Sequence, residues 1–278
     1  LKYSHRGIEA IYEAQIAGSI GFLLLTLPYI IRRIEAGYLP RAIKEMLRFS
    51  LPLSMAALSN VLLVVFDRYV LNFKSTPLNV GIYTQGFRIA NTIKVFIISS
   101  VQLALAPAVF KLMTHPEHKV IYSRIMTWFT VLVVYFSLFL SLFGLEITKL
   151  FTTGKIYWEA YRLIPILALG ITFSMLKDVS ITGLQIVKRT RIIGLMITGI
   201  AIFNLALNII LVPLWDVYGA AVTSLLSHLI FFIIIYINAQ KHYNIPYRLD
   251  KVTLVIISGI VLFIAGSQFN NSLLYVRI

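Results

Sequence analysis

The sequence predicts an all-α polytopic membrane protein with about eight transmembrane helices, and three observations predict it. Of 278 residues, 59% are hydrophobic and 13% are charged, against roughly 25% charged in an average soluble domain. The apolar residues gather in runs of about the 20 residues that a helix needs to cross a hydrocarbon core. Strand-like alternation is missing from these runs, which argues against a β-barrel.

Eight runs follow one another: Ile11–Ile31, Phe49–Phe73, Gly81–Phe110, Ile125–Gly144, Leu163–Val187, Ile192–Pro213, Tyr218–Ala239 and Val252–Gly266. The third is long and the last short, which fits tilt, or a bend at Pro107. Pro52, Pro165 and Pro213 also fall within spans or at their ends, where proline bends or breaks a helix and neighbours must satisfy the freed carbonyls. The loops are too small to hold an extramembrane catalytic domain. One of them differs in character. In 32–48, Pro40 opens a segment with Ile43, Met46 and Leu47 on one side and Arg41, Lys44, Glu45 and Arg48 on the other. It reads either as a basic amphipathic helix on the cytoplasmic leaflet or as an ordinary polar connector.

The net charge of +14 does not point to nucleic acid, because no soluble domain exists to carry a basic face. It sits in short loops, where the positive-inside rule uses it. The loop after span one holds five cations (Arg32, Arg33, Arg41, Lys44, Arg48), and the loops after spans three, five and seven hold three each. Seven lie on the opposite side and four inside spans, of 25 in all. This bias puts the odd-numbered loops in the cytoplasm and Leu1 outside. With no signal peptide ahead of span one, an odd number of spans is expected upstream if the complete protein begins in the cytoplasm, so the chain reads as the C-terminal portion of a larger, transporter-sized protein. The sequence has no cysteine, which removes disulfides and thiolate metal sites.

A charge in hydrocarbon costs about 2.5–3.5 kcal/mol even on lenient scales, so intramembrane charges are functional candidates. They are Asp67 and Arg68 in span two, Arg88 and Lys94 in span three, and Lys177 and Asp178 in span five. Asn60 and Asp67 lie seven apart on one helix face. Ser174, Lys177, Asp178, Thr182 and Gln185 form a comparable patch. These groups either line a water-filled cavity whose cations hold an anionic substrate, or are structural, with Asp67 paired locally and Arg68 and Arg88 snorkelling outward. Lys94 and Lys177 lie deeper and favour the cavity. Four cations against two acids point to an anionic ligand or lipid headgroup.

Asn204 and Asn208 in span six are i, i+4 neighbours, and span seven offers Gly219, Thr223 and Ser227 on one face. Such groups glue membrane helices together or ring a small cation with oxygens. His115 and His118 are close in sequence, but Pro116 between them spoils a helical ligand pair, so no metal is expected there. Asp216 is alone in a tight outer turn and reads as structural. The common hydrolase, nucleotide-binding and metalloprotease motifs are missing, so no catalytic residue and no cofactor is expected.

Span six into seven reads Asn204-Leu-Ala-Leu-Asn208-Ile-Ile-Leu-Val-Pro213, then Tyr218-Gly219-Ala220-Ala221-Val222-Thr223. This resembles the signature of the multidrug/oligosaccharidyl-lipid/polysaccharide exporter superfamily. Leu51-Pro52-Leu53 through Asp67-Arg68-Tyr69, and Val80-Gly81-Ile82-Tyr83 through Arg88 to Pro107, are similar to its polysaccharide branch, the O-antigen-type flippases. The resemblance covers about residues 40 to 265.

The resemblance implies two six-helix bundles around a cavity that opens alternately to each face. Residues 1–31 would then be the last helix of a truncated N-terminal lobe, 32–48 a cytoplasmic amphipathic linker, 49–239 the C-terminal six-helix lobe, and 240–278 additional C-terminal segments. It also implies a polyprenyl-diphosphate-linked oligosaccharide as substrate in the cytoplasmic membrane, with membrane lipids and polysaccharide polymerase or chain-length proteins as partners. Arg88, Lys94 and Lys177, with Arg68, would be cations facing the diphosphate. Asp67, Asn204, Asn208 and Thr223 would sit where some relatives bind a coupling cation, with Asp178 a further candidate for that role or for helix packing. Asn at Asn208, where those relatives carry a carboxylate, departs from their pattern.

Two other functions compete. A drug/cation antiporter of the same superfamily would want acidic cavity residues rather than this excess of Lys and Arg. A membrane glycosyltransferase or polymerase would want a large outer loop with paired carboxylates, and the longest outer loop, Leu145 to Arg162, offers only Glu146 and Glu159.

Overall fold

A computed structural model describes residues 9–32, 40–103, 117–187 and 189–276. Among them are eight α-helices and no strand. These are α1 (Glu9–Ile31), α2 (Pro40–Lys74), α3 (Pro77–Thr92), α4 (His118–Leu142), α5 (Gly144–Phe151), α6 (Ile164–Ile186), α7 (Thr190–His242) and α8 (Leu249–Val276). A π-helical segment, Ile93–Ile98, continues α3, and a 3₁₀ segment, Lys155–Leu163, precedes α6. The all-α polytopic class is as expected. Among the described residues, four helical stretches are long and apolar enough to cross a membrane: His118–Leu142, Lys155–Ile186, Arg191–His242 and Leu249–Gln268.

The chain forms two compact units, Leu1–Arg48 and Phe49–Ile278. In the first, α1 is apolar and exposed along its length, with Phe22 and Leu25 open to the surroundings. Ser19 and Thr26 turn their hydroxyls back onto the carbonyls of Gln15 and Phe22, which satisfies them without an external partner, as hydrocarbon requires. The range of α2 takes in 40–48, where Ile43, Met46 and Leu47 are exposed. The expected bend at Pro107 and the residues His115 and Pro116 lie outside the described residues.

In the second unit the core is built from Leu71 of α2, Tyr83 of α3, Ile93 of the π segment, Met126 of α4, and Ile164 and Met175 of α6, all fully buried. Pro165 falls in the first turn of α6, where its missing N–H costs nothing. A smaller cluster joins Leu63, Leu184, Ile197, Phe231 and Ile235.

The helix α7 contains two predicted spans. Its 53 residues are about twice what a bilayer needs, and the backbone breaks at Asp216, with φ 50° and ψ −126°. The two arms, 190–215 and 217–242, run from this corner. Gly219 lies just beyond it, where a Cβ would come within 2.2 Å of the Leu211 carbonyl oxygen. Only glycine lets the arms approach this closely. Trp215 and Tyr218 flank the break and are exposed, as aromatic residues at a membrane interface are. Asp216 is not alone: its carboxylate accepts hydrogen bonds from Ser75 Oγ at 2.5 Å and Asn79 Nδ2 at 2.5 Å.

Candidate functional site

The helices α2, α3 and α7 meet around one carboxylate. Asp67 of α2 is almost fully buried. Tyr83 of α3 donates its hydroxyl to Asp67 Oδ2 at 2.5 Å. Asn208 on the first arm of α7 donates Nδ2 to Asp67 Oδ1 at 2.7 Å, and Asn204, one turn earlier, approaches the same oxygen at 3.4 Å. The two amides are linked, Asn208 Nδ2 to Asn204 Oδ1 at 3.1 Å. Asn204 reaches the second arm of α7 through Ser227 Oγ at 3.1 Å. The i, i+4 spacing read from the sequence thus puts Asn204 and Asn208 on one face, with Ser227 against Asn204; Thr223, one turn before Ser227, is buried as they are. Asn60, by contrast, is exposed, so the polar stripe expected on α2 does not run as one buried face.

The network has a surplus of oxygen. Asn208 Oδ1 and Thr223 Oγ1 are buried without a hydrogen-bond partner, at a spot where an unmade bond costs about 1–3 kcal/mol. A carboxylate, two amide oxygens and a hydroxyl are the hard donors that a small cation takes. No ion pair to Asp67 is found among the described residues. Its neighbour Arg68 lies instead over the Phe87 ring, guanidinium carbon to centroid 4.6 Å, with Nε buried and unpartnered.

The other charges form a second group. Lys177 is buried at 7% exposure. Its ammonium lies 2.6 Å from Asp178 Oδ1 and 5.1 Å from the centroid of the Phe231 ring. Asp178 Oδ2 accepts from Gln102 Nε2 at 3.1 Å. Arg88 and Lys94 are both exposed. Lys94 sits in the π segment, and its carbonyl accepts from the Ser99 N–H. Such π turns are frequent at functional positions. The structure therefore divides the four sequence-predicted cations: Arg68 lies over Phe87, Lys177 is paired with Asp178, and Arg88 and Lys94 are exposed.

Sequence reasoning did not single out Tyr83, Gln102 or His228 for a site. Tyr83 lies on the helix after Asp67, and no short-range spacing links them. His228 stands between Ser227 and Phe231 on the second arm of α7. Its Nδ1 lies 2.7 Å from the Ser224 carbonyl. An isolated ionisable residue in the middle of span seven was the available signal.

A buried carboxylate, a buried ammonium and helices suited to crossing a bilayer define a membrane protein with polar groups inside its bundle. Residues 2–113 match the family model described as polysaccharide biosynthesis protein. The match takes in Asp67, Arg68, Tyr83, Arg88 and Lys94, bears out the resemblance drawn from the sequence, and supports a polysaccharide-related membrane transporter in general. The Asn204–Thr223 motif and Lys177 lie beyond it. No curated protein and no solved structure matches the chain.

Proposed function

We propose that this protein flips polyprenyl-diphosphate-linked oligosaccharide across the cytoplasmic membrane by alternating access, with no covalent chemistry. The repeat unit belongs to an O-antigen, capsule or exopolysaccharide. The observation that carries the reading is the family match over residues 2–113 on a chain that also buries a lysine among its membrane helices. A diphosphate carries about two negative charges, and a low-dielectric cavity strengthens its attraction to Lys177, Lys94, Arg88 and Arg68. Several dispersed cations hold such a headgroup loosely enough for release.

In this reading the Asp67, Asn204, Asn208 and Thr223 network takes the coupling cation, whose gradient drives rocking between the two faces. The support is the oxygen surplus at Asn208 and Thr223. Residues 49–239 act as the C-terminal six-helix lobe, 1–31 as the last helix of the other lobe, 32–48 as the amphipathic linker between them, and 240–278 as an appended segment. The odd-numbered loops face the cytoplasm. Polysaccharide polymerase and chain-length proteins are the partners that such a step would hand its product to.

The test uses the full-length protein in liposomes holding fluorescent polyprenyl-diphosphate oligosaccharide. Leaflet exchange is compared among the parent, Lys94→Ala and Lys177→Ala. Exchange by the parent and its loss in the variants supports the reading. A parent that moves no lipid sinks it and brings forward the drug/cation antiporter, which the buried Asp67 carboxylate also suits.

A further inference from the structure

Lys177 and Asp178 are consecutive residues of α6, and consecutive side chains leave a helix about 100° apart. They do not face each other by default. Here both bend to a common point, with Nζ 2.6 Å from Oδ1. The carboxylate is steadied from outside its own helix, since Oδ2 takes the Gln102 amide 76 residues away in sequence. The ammonium rests on the buried Phe231 ring, one turn after His228, which is itself fixed through Nδ1 to the Ser224 carbonyl. One carboxylate oxygen and one ring face therefore hold a buried lysine, and both acid and amide are positioned to present that oxygen.

We propose that Asp178 is an intramolecular stand-in for a phosphoryl anion: it holds Lys177 while the site waits, and yields the ammonium to a diphosphate headgroup. The inference rests on the flippase reading and names the residue that tunes its anion site. The chemistry is an exchange of one anion for another, so the buried ammonium is never left without a counter-charge, the state that burial penalises most. Lysine suits the exchange because its ammonium is a point charge with three rotatable donors, and it can pass from carboxylate to phosphate without the fixed planar fit that arginine needs. Competition from Asp178 lowers affinity for the headgroup and thereby speeds its release. Asp178 is a positioning residue that acts through Lys177, and Gln102 keeps its carboxylate in place.

The full-length protein in detergent is titrated with fluorescent polyprenyl diphosphate, with the neutral polyprenyl alcohol as control. Asp178→Asn, which keeps shape and removes the charge, is expected to bind the diphosphate about tenfold more tightly, and to exchange it between leaflets more slowly in liposomes. The same substitution on a Lys177→Ala background is expected to change nothing, since the coupling between neighbours should disappear with its partner. Equal or weaker binding by Asp178→Asn overturns the proposal, whether or not its thermal midpoint falls. A gain that persists without Lys177 overturns it as well. If the parent itself binds the diphosphate no better than the alcohol, the flippase reading fails along with this proposal. A parent that prefers the diphosphate, with an unresponsive Asp178→Asn, removes only the stand-in role.

Discussion

Tyr83 on α3 donates its hydroxyl to the buried carboxylate of Asp67 on α2 at 2.5 Å, and this short bond joins two adjacent helices at the centre of the second unit. Hydrogen bonds to charged groups contribute about 1.5–3 kcal/mol. Tyr83→Phe should therefore lower stability by about 2 kcal/mol, read as thermal unfolding in detergent. On an Asp67→Asn background the same change should cost much less. Equal losses on both backgrounds would mean that the ring, and not the hydroxyl, carries the effect.

Asp216 holds a positive φ of 50° that glycine adopts freely and other residues adopt at a cost of about 1–3 kcal/mol. Its side chain offsets this through Ser75 and Asn79. Asp216→Ala loses the bonds and keeps the strain, while Asp216→Gly loses the bonds and the strain together. Stability should fall in the order parent, glycine variant, alanine variant, with the last two about 1 kcal/mol apart. Chemical denaturation of the three proteins would give that order, and an alanine variant at least as stable as the glycine variant would contradict it.

Two glycines of α7 should respond in opposite ways to alanine. At Gly219 the new methyl would meet the Leu211 carbonyl at 2.2 Å, so the corner must open, and a loss of about 2–3 kcal/mol is expected. At Gly199 nothing lies within 4 Å, and alanine should gain about 0.5–1 kcal/mol from helix propensity. Paired thermal unfolding curves check both. Similar losses at the two positions would show that the tight approach at Gly219 is not what sets its tolerance.

Much of the helix content was legible because hydrophobic runs state their own length. Leu163–Val187 became Ile164–Ile186, and Ile11–Ile31 became Glu9–Ile31. The i, i+4 amides at Asn204 and Asn208 and the small face at Gly219, Thr223 and Ser227 were legible for the same reason, since helical periodicity fixes what shares a face. Contacts between helices were not. Nothing local assigns Tyr83 to Asp67, Gln102 to Asp178, or Ser75 and Asn79 to Asp216. The π turn at Ile93–Ile98 was equally hidden, because one extra residue in a turn leaves no mark in a stretch whose only polar residue is Lys94. Asp216 reads as solitary in sequence only because its partners come from a turn 137 and 141 residues away.

That corner also sets how the second unit can deform. Ser75 ends α2 and Asn79 begins α3, while Asp216 joins the two arms of α7, so three side chains lash four helix ends into a single knot. Helices tied at one end can splay only at the other. Any opening within this bundle must then work like a pair of tongs, with the Ser75–Asn79–Asp216 knot as the rivet and the largest displacements at the far ends of the same helices.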